Sequence, residues 1–268
     1  MSEIPEDVAF LCRSDHRIRV LTALTDRPRD RRDLRSLTGA SQPTVSRILT
    51  DFEDRHWITR MGHRYRLTAL GALVAEDLSA LIEAMTREER LRDIWPWLPH
   101  DIADFSIDMF SDVVVSKPGP TYPHQPVERF AGLLADTSTM RGFGMAVLKS
   151  GDLTAFFERL VAGFECEYIY PPAVFESLLS WDREMVNEAL SRGNYTVYLH
   201  DDLPMDERCG ICLLDDRTTI CCYDAPSGTL QSFVDTGSAE FHDWADGYYR
   251  QFRDEAHTIE EHDGLLAG

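Results

Sequence analysis

Apolar positions in the first third of the chain recur at helical spacing, switch once to alternation, and return to helical spacing over a longer run. Ile18, Val20, Leu21 and Leu24 predict a helix over roughly residues 15–25. In DRRDLRSLTG (30–39), Asp30 is placed to cap a short helix, Leu34 and Leu37 to point inward, and Gly39 to close it in the left-handed conformation. Val45, Ile48, Leu49 and Phe52 then fall at i, i+3, i+4 and i+7, with Ser41 as N-cap and Pro43 in the first turn. WITRM and RYRLT alternate about Gly62-His63 and predict a β-hairpin. Thr68 caps a further helix striped by Leu70, Leu73, Val74, Leu78, Leu81, Ile82 and Met85. That stripe is too long for the small domain before it, so it is expected to pack on a second domain or a second copy.

Two helices joined by a glycine turn and followed by a hairpin predict a winged helix-turn-helix. Trp95–Pro99 reads as a structural corner, and KPGPTYPHQP (117–126) as a boundary that neither helix nor central strand can cross. Beyond it come a strand (140–148), a helix (152–162), a strand (165–170), helices at 172–180 and 183–192, and a strand (194–199). The hairpin GICLLDD–RTTICCYD, the strand LQSFVD and a helix over 238–256 complete the chain. The expected fold class is α+β: a winged helix-turn-helix over 1–68, a linker helix and connector over 69–124, and an α/β sensor-like domain over 125–268.

Charge gives the two parts different partners. The 268 residues carry a formal net charge of −19. Residues 1–70 hold 13 Arg against 10 acids, whereas the remainder holds 14 basic residues against 36 acids. One part therefore tolerates an anion and the other repels it. The face of the 42–52 helix opposite its apolar stripe shows Gln42, Thr44, Ser46, Arg47 and Thr50, beside the Ser41 cap. Short hydrogen-bonding side chains and one arginine suit a helix that enters the major groove of double-stranded DNA. Arg60, His63, Arg64 and Arg66 are expected on the tip and exposed face of the hairpin, where they would hold phosphates. Dimers bind two half-sites, so a homodimer is expected. The acid excess, with 25 Arg against two Lys, suits a salt-loving organism. A GC-rich genome would explain the missing lysines but not the excess of acids.

Enzyme signatures are lacking. HExxH, GxSxG, GxxxxGK[ST], GxGxxG and HxK do not occur, and Gly142-Phe-Gly144 has no third glycine at the needed spacing. Asp201-Asp202 and Asp215-Asp216 read as turns. Effector-binding candidates at strand ends are Arg141, Tyr170, His200, Tyr223 and Asp224, for a small-molecule ligand. Cys209, Cys212, Cys221 and Cys222 leave three readings open: buried thiols, a redox sensor, or a metal site. The metal reading is the weakest, because i and i+3 of a regular strand face opposite sides, and no cofactor or metal is expected. No apolar run reaches the ~18 residues of a membrane span, and the N-terminus lacks a signal-peptide pattern, so a cytoplasmic protein is expected.

SQPTVSRILTDFEDRHWITRMGHRYRLTALGALV resembles the recognition helix and wing of archaeal and bacterial winged-helix repressors of the ArsR/MarR type. His56 stands where such proteins usually carry Gly. From about residue 93, PVERFAGLL, MRGFGMAV, EYIYPPAVFESLL, GNYTVYLHDDLP and DDRTTICCYDA resemble the effector domain of archaeal regulators related to the methanogen filament regulator. The resemblance implies a ligand-responsive transcription factor. A regulator acting mainly through protein contacts, or an enzyme of unrecognised type in the C-terminal domain, are the alternatives.

Overall fold

A computed structural model describes residues 4–98, 104–110, 112–144, 153–203, 209–224 and 229–259. The chain divides at Glu88/Glu89 into two units. The first holds α1 (Ile4–Cys12), α2 (Asp15–Asp26), β1 (Arg29–Asp30), α3 (Arg31–Thr38), α4 (Gln42–Asp54), β2 (Ile58–Met61) and β3 (Arg64–Leu67). Helix α5 (Ala69–Arg92) follows. The strands form an antiparallel sheet in the order β1-β3-β2. Val20, Leu21 and Leu24 of α2, Leu34 of α3, the four apolar residues of α4, and Tyr65 share one core with Ala75 and Leu78 of α5. This is the helix order and hairpin of a winged helix-turn-helix.

Local chemistry fixes the turns. Asp30 accepts from the N–H groups of Arg32 and Asp33, and Asp33 answers with its own carboxylate, closing a capping box. Gly39 ends α3 at φ 68°. Leu37 departs from expectation. It is exposed, and Thr38 takes the inward place, its hydroxyl satisfied by Leu34 O at 2.7 Å. In a helix of only two turns the buried stripe is narrow, and Leu34 and Thr38 at i, i+4 fill it.

The second unit is an α/β layer. Its strands are β4 (Val114–Ser116), β5 (Thr139–Phe143), β6 (Glu165–Tyr170), β7 (Tyr195–Leu199), β8 (Cys209–Leu213), β9 (Thr218–Asp224), β10 (Thr229–Thr236) and β11 (His257–Thr258). They form one sheet in the order β11-β7-β6-β5-β8-β9-β10-β4, with β5, β6 and β7 parallel. On one face α6 (Gln125–Asp136), α7 (Leu153–Val161) and α8 (Pro172–Ser191) pack through Phe130, Phe157, Leu160, Phe175 and Leu178. The other face carries α9 (Ala239–Glu255) through Phe241, Ala245 and Tyr249, with Ile94, Leu98 and Phe110 beside it. The fold class is α+β, as expected.

Three boundaries fall differently from the sequence reading. The two helices expected at 172–180 and 183–192 are one element broken at Asp182 (φ −157°, ψ 89°), whose carboxylate then caps the second half through Met185 N–H. The expected strand at 140–148 runs as β5 to Phe143, Gly144 follows in a bend at φ 100°, and residues 145–148 lie outside the described ones. The proline-rich stretch does not divide the chain, and 69–124 is no separate connector: β4, upstream of it, pairs with β10 in the main sheet. Three-residue edge strands leave almost no period to read. The corner at Trp95–Trp97 is a 3-10 helix between buried Ile94 and Leu98.

Polar burial in this unit is structural. The Asp235 carboxylate is fully buried and accepts two bonds from Arg129, at 3.0 and 2.8 Å, and one from Arg217 at 2.5 Å. A buried carboxylate is tolerable only when paired and hydrogen-bonded in this way. Asp215 accepts from the N–H groups of Ser138 and Thr139 and the Thr139 hydroxyl at 2.7–2.8 Å, so it anchors the start of β5.

Candidate nucleic-acid interface

Helix α4 is held by its buried stripe and by both ends. Ser41 Oγ accepts from Thr44 N–H at 3.3 Å and lies 2.8 Å from the Thr44 hydroxyl. At the far end His56 takes φ +57°. His56 N–H donates to Glu53 O at 2.9 Å and Trp57 N–H to Phe52 O at 3.0 Å. These are the two bonds of a Schellman motif, and the Phe52–Trp57 ring pair at 5.5 Å supplies its apolar contact. A histidine thus does what glycine ordinarily does at this position.

Ser41, Gln42, Arg47 and Thr50 are exposed, with Thr44 and Ser46 half-buried between them. Asp51 is the first acid along this helix, and Arg17 lies 3.7 Å from it. The exposed face of α4 therefore offers donors and acceptors with no bare carboxylate before position 51.

The wing is set by a two-residue turn. Gly62 has φ +60° while His63 does not have positive φ, the pattern of a type II′ hairpin. Register corrects one expectation. Met61 pairs Arg64 and Thr59 pairs Arg66, but Arg60 pairs Tyr65. Cross-strand partners share a face, so Arg60 lies on the opposite face from Arg64 and Arg66. Its Nε donates to Gly62 O at 2.8 Å, bracing the turn. His63, Arg64 and Arg66 are exposed as expected.

The wing is tied to α5 by Thr68. Its hydroxyl donates to His56 O at 2.6 Å and accepts from Gly71 N–H at 3.1 Å. Trp57 O comes so close that a Cβ on Gly71 would stand 1.9 Å from it. Sequence reasoning saw this glycine only as part of a motif, and the contact that requires it is tertiary.

Arginines in this unit sort by partner. Arg19 pairs with Asp15, Arg27 and Arg29 with Asp26, and Arg55 with Asp7. By contrast Arg31, Arg32, Arg35, Arg47, Arg64 and Arg66 are exposed and make no ion pair or hydrogen bond among the described residues. The first three lie in the short helix expected over 30–39 and were not among the expected DNA-binding residues.

The expected effector residues do not converge. Arg141 reaches Asp246 of α9 at 2.6 Å and borders a groove of about 440 Å³ lined by Thr139, Glu165, Glu167, Asn194 and Thr196. His200 packs on Phe252 of α9, its Nδ1 accepting from Asp202 N–H at 3.0 Å. Tyr170 and Tyr223 are buried in the core on the other side of the sheet, Tyr170 bonded to the Tyr195 hydroxyl at 2.9 Å. Asp224 ends β9, half-buried. Strand ends gather residues that alternate between faces, so proximity in sequence did not make a pocket.

The cysteines obey the same alternation. Cys209 and Cys222 pair across β8 and β9 on the α9 side, whereas Cys212 and Cys221 belong to the opposite core. All four are buried and none is in a disulfide. Burial pushes the Cys212 thiol up to about 12 and the Cys221 thiol well above its usual value. Held protonated, the Cys212 and Cys221 thiols are poor nucleophiles and poor ligands, and burial of all four suits small apolar groups. Among the described residues, no group of three or more His, Cys, Asp or Glu is placed to hold a metal ion, and no helix is long and apolar enough to cross a membrane.

Residues 5–90 match the family model described as the HVO_A0261 N-terminal domain. Residues 123–255 match that of the methanogenesis regulatory protein FilR1, middle domain. The chain is similar to an archaeal regulator. It is 25% identical over 178 residues to the methanogenesis regulatory protein FilR1 of Methanothrix harundinacea (strain 6Ac), a match over 64% of this chain and 40% of that protein. The chain thus spans about 40% of the length of the curated relative it matches. Among solved structures, TrmBL2, an archaeal chromatin protein, aligns over 92% of this chain and 94% of its own at 12% identity and TM-score 0.43. NucT from Helicobacter pylori aligns over 55% of this chain and 99% of its own at 11% identity and TM-score 0.40.

Proposed function

We propose that this chain is a sequence-specific, non-enzymatic transcriptional regulator of the ArsR/MarR winged-helix type, which binds double-stranded DNA through α4 and the wing. One observation carries the reading. In a chain of net charge −19, the exposed face of α4 carries Gln42, Thr44, Ser46 and Arg47 and the outward face of the wing carries Arg64 and Arg66, with three guanidinium groups unpaired among the described residues. Unpaired arginines beside short polar side chains are what phosphates and base edges require. Similarity to FilR1 supports a regulatory role.

In this reading Gln42, Thr44, Ser46 and Arg47 meet base edges, Ser41 stands at the groove's rim, and His63, Arg64 and Arg66 meet phosphates. The protein acts as a homodimer in an archaeal, salt-rich cytoplasm. A small molecule bound to the second unit, with Arg141 and its groove the supported locus, biases one spacing of the two recognition helices over another. A ligand can do this only through unequal affinity for the two arrangements.

Selection of a preferred duplex from random sequence, followed by binding measurements, tests the assignment. Arg47→Ala or Thr44→Ala should lose roughly 1–3 kcal/mol of discrimination between that duplex and random DNA while the fold persists. An Arg47→Ala protein that still prefers the same duplex to the same degree would refute the role of this face.

A further inference from the structure

The three parallel strands turn polar at one corner of the sheet. On the face that carries α9, the C-terminal halves of β5 and β6 bury Phe143 and Ile169 in the α9 core. Their N-terminal halves, with β7 beside them, present Thr139, Arg141, Glu165, Glu167 and Thr196 on that same face. Register sets these in two rows: Thr139 opposite Glu165, and Arg141 beside Glu167 beside Thr196. Asn194, just before β7, joins them in lining the groove of about 440 Å³. Thr139, Glu165 and Thr196 are exposed, so α9 leaves this corner open.

Existing bonds use up the donors of this groove and leave its acceptors. Arg141 reaches Asp246 at 2.6 Å, so a carboxylate of α9 answers its charge. Asn194 donates its amide N–H groups to Leu160 O and Phe164 O, which leaves the side-chain oxygen as an acceptor. Thr139 gives its hydroxyl proton to Asp215 at 2.7 Å. Tyr249 of α9 donates to Glu167 Oε1 at 2.6 Å and so fixes that carboxylate. Burial, then this bond, pushes the Tyr249 phenol above its usual range, so it stays a donor. Glu167 Oε2 and both carboxylate oxygens of Glu165 take no hydrogen bond among the described residues, and Glu165 makes no ion pair there.

We infer that this groove binds a small organic amine in its ammonium form, held by Glu165 and Glu167 with Asn194 and Thr196 beside them. Glu165 and Glu167 stand two residues apart on one strand face, roughly 7 Å, which lets one ammonium group sit between them. An ammonium carries three donors and no acceptor, the complement of a groove whose open groups are acceptors. Bonds between an ammonium and a carboxylate are charge-assisted and stronger than neutral ones. The wider field points the same way: beyond residue 70 the chain holds 36 acids against 14 basic residues, which draws a cation and repels an anion. The inference deepens the effector reading above and rests on it for the role of the groove, though not for its binding chemistry.

Calorimetric titration of the full chain at one fixed KCl concentration tests it, with 1,4-diaminobutane as the amine, succinate as an anion of the same chain length and 1,4-butanediol as the neutral analogue. The diamine should bind saturably at one site per chain, and neither analogue should bind or compete. Glu165→Gln with Glu167→Gln keeps both side-chain shapes and an acceptor for Tyr249; it should weaken the diamine about tenfold or more at an unchanged urea midpoint. Asp201→Asn with Asp202→Asn removes two exposed acids elsewhere in the same unit and should leave binding unchanged. No saturable binding of the diamine, equal affinity in the Glu165/Glu167 variant, or an equal loss in the Asp201/Asp202 control would each overturn the amine site. Succinate binding that Arg141→Gln abolishes would overturn it in favour of an anion. The effector reading is tested separately, by the diamine's effect on DNA affinity in wild type less its effect in the Glu165/Glu167 variant. A diamine that binds the groove with no such difference would uphold the site and overturn its effector role.

Discussion

His56 and Gly71 stand 15 positions apart and both concern the carbonyls that join α4 to α5. His56 occupies a left-handed position (φ +57°) whose strain costs an L-residue roughly 1–2 kcal/mol. Glycine removes that strain but gains backbone entropy when unfolded, about 0.5–1 kcal/mol. His56→Gly should therefore stabilise the protein by about 0.5–1 kcal/mol, read as a raised urea midpoint at unchanged slope. Gly71 is the reverse case. A methyl there meets Trp57 O at 1.9 Å, a backbone atom that cannot rotate away. Gly71→Ala should cost on the order of 3 kcal/mol or more in the same experiment. Equal midpoints for wild type and Gly71→Ala would show that the close approach of Trp57 to α5 does not exist in solution.

At the scale of elements, α5 is the one whose sequence pattern and burial disagree most usefully. Leu78 is only 9% exposed and packs with Ala75 in the winged-helix core. Leu70, Leu73, Leu81 and Met85 are 50–58% exposed, and Ile82 38%. The apolar stripe is thus two stripes, one used by the unit's own core and one bare. Bare apolar residues in a row mark an interaction surface, which supports the proposed dimer. A charge at Leu78 would unfold the unit rather than test the dimer. Leu73→Glu with Leu81→Glu should instead give a folded monomer, with DNA affinity reduced because the second half-site no longer contributes avidity. Light scattering in high salt checks this, and a folded double variant that stays dimeric would remove α5 as the interface.

The whole molecule carries two opposed salt responses. Beyond residue 70 there are 36 acids against 14 basic residues, and their mutual repulsion is screened as the Debye length shrinks from about 10 Å at 0.1 M to 3 Å at 1 M salt. Thermal unfolding should therefore shift upward over that range. DNA binding should weaken over the same range, because bound phosphates release their counterions. A melting temperature that falls with added salt would contradict the first expectation, independently of any DNA measurement.

What the sequence alone determined is local. Caps at Asp30 and Ser41, the left-handed Gly39, the apolar faces of α2 and α4, the Gly62 turn and the strand–helix alternation after residue 139 depend on residues within a few positions of each other, and the chain states them directly. The opposite facing of Cys209 and Cys212 followed from the two-residue period of a strand alone. Tertiary structure decided whatever depends on a partner far along the chain. Arg60 left the strand face of Arg64 and Arg66 because register set it opposite Tyr65. Leu78 and Leu81 parted because one of them meets the winged-helix core. The expected effector residues scattered because strand ends share a neighbourhood without sharing a face. Periodicity says which way a side chain points relative to its own element; only packing says what stands there to meet it.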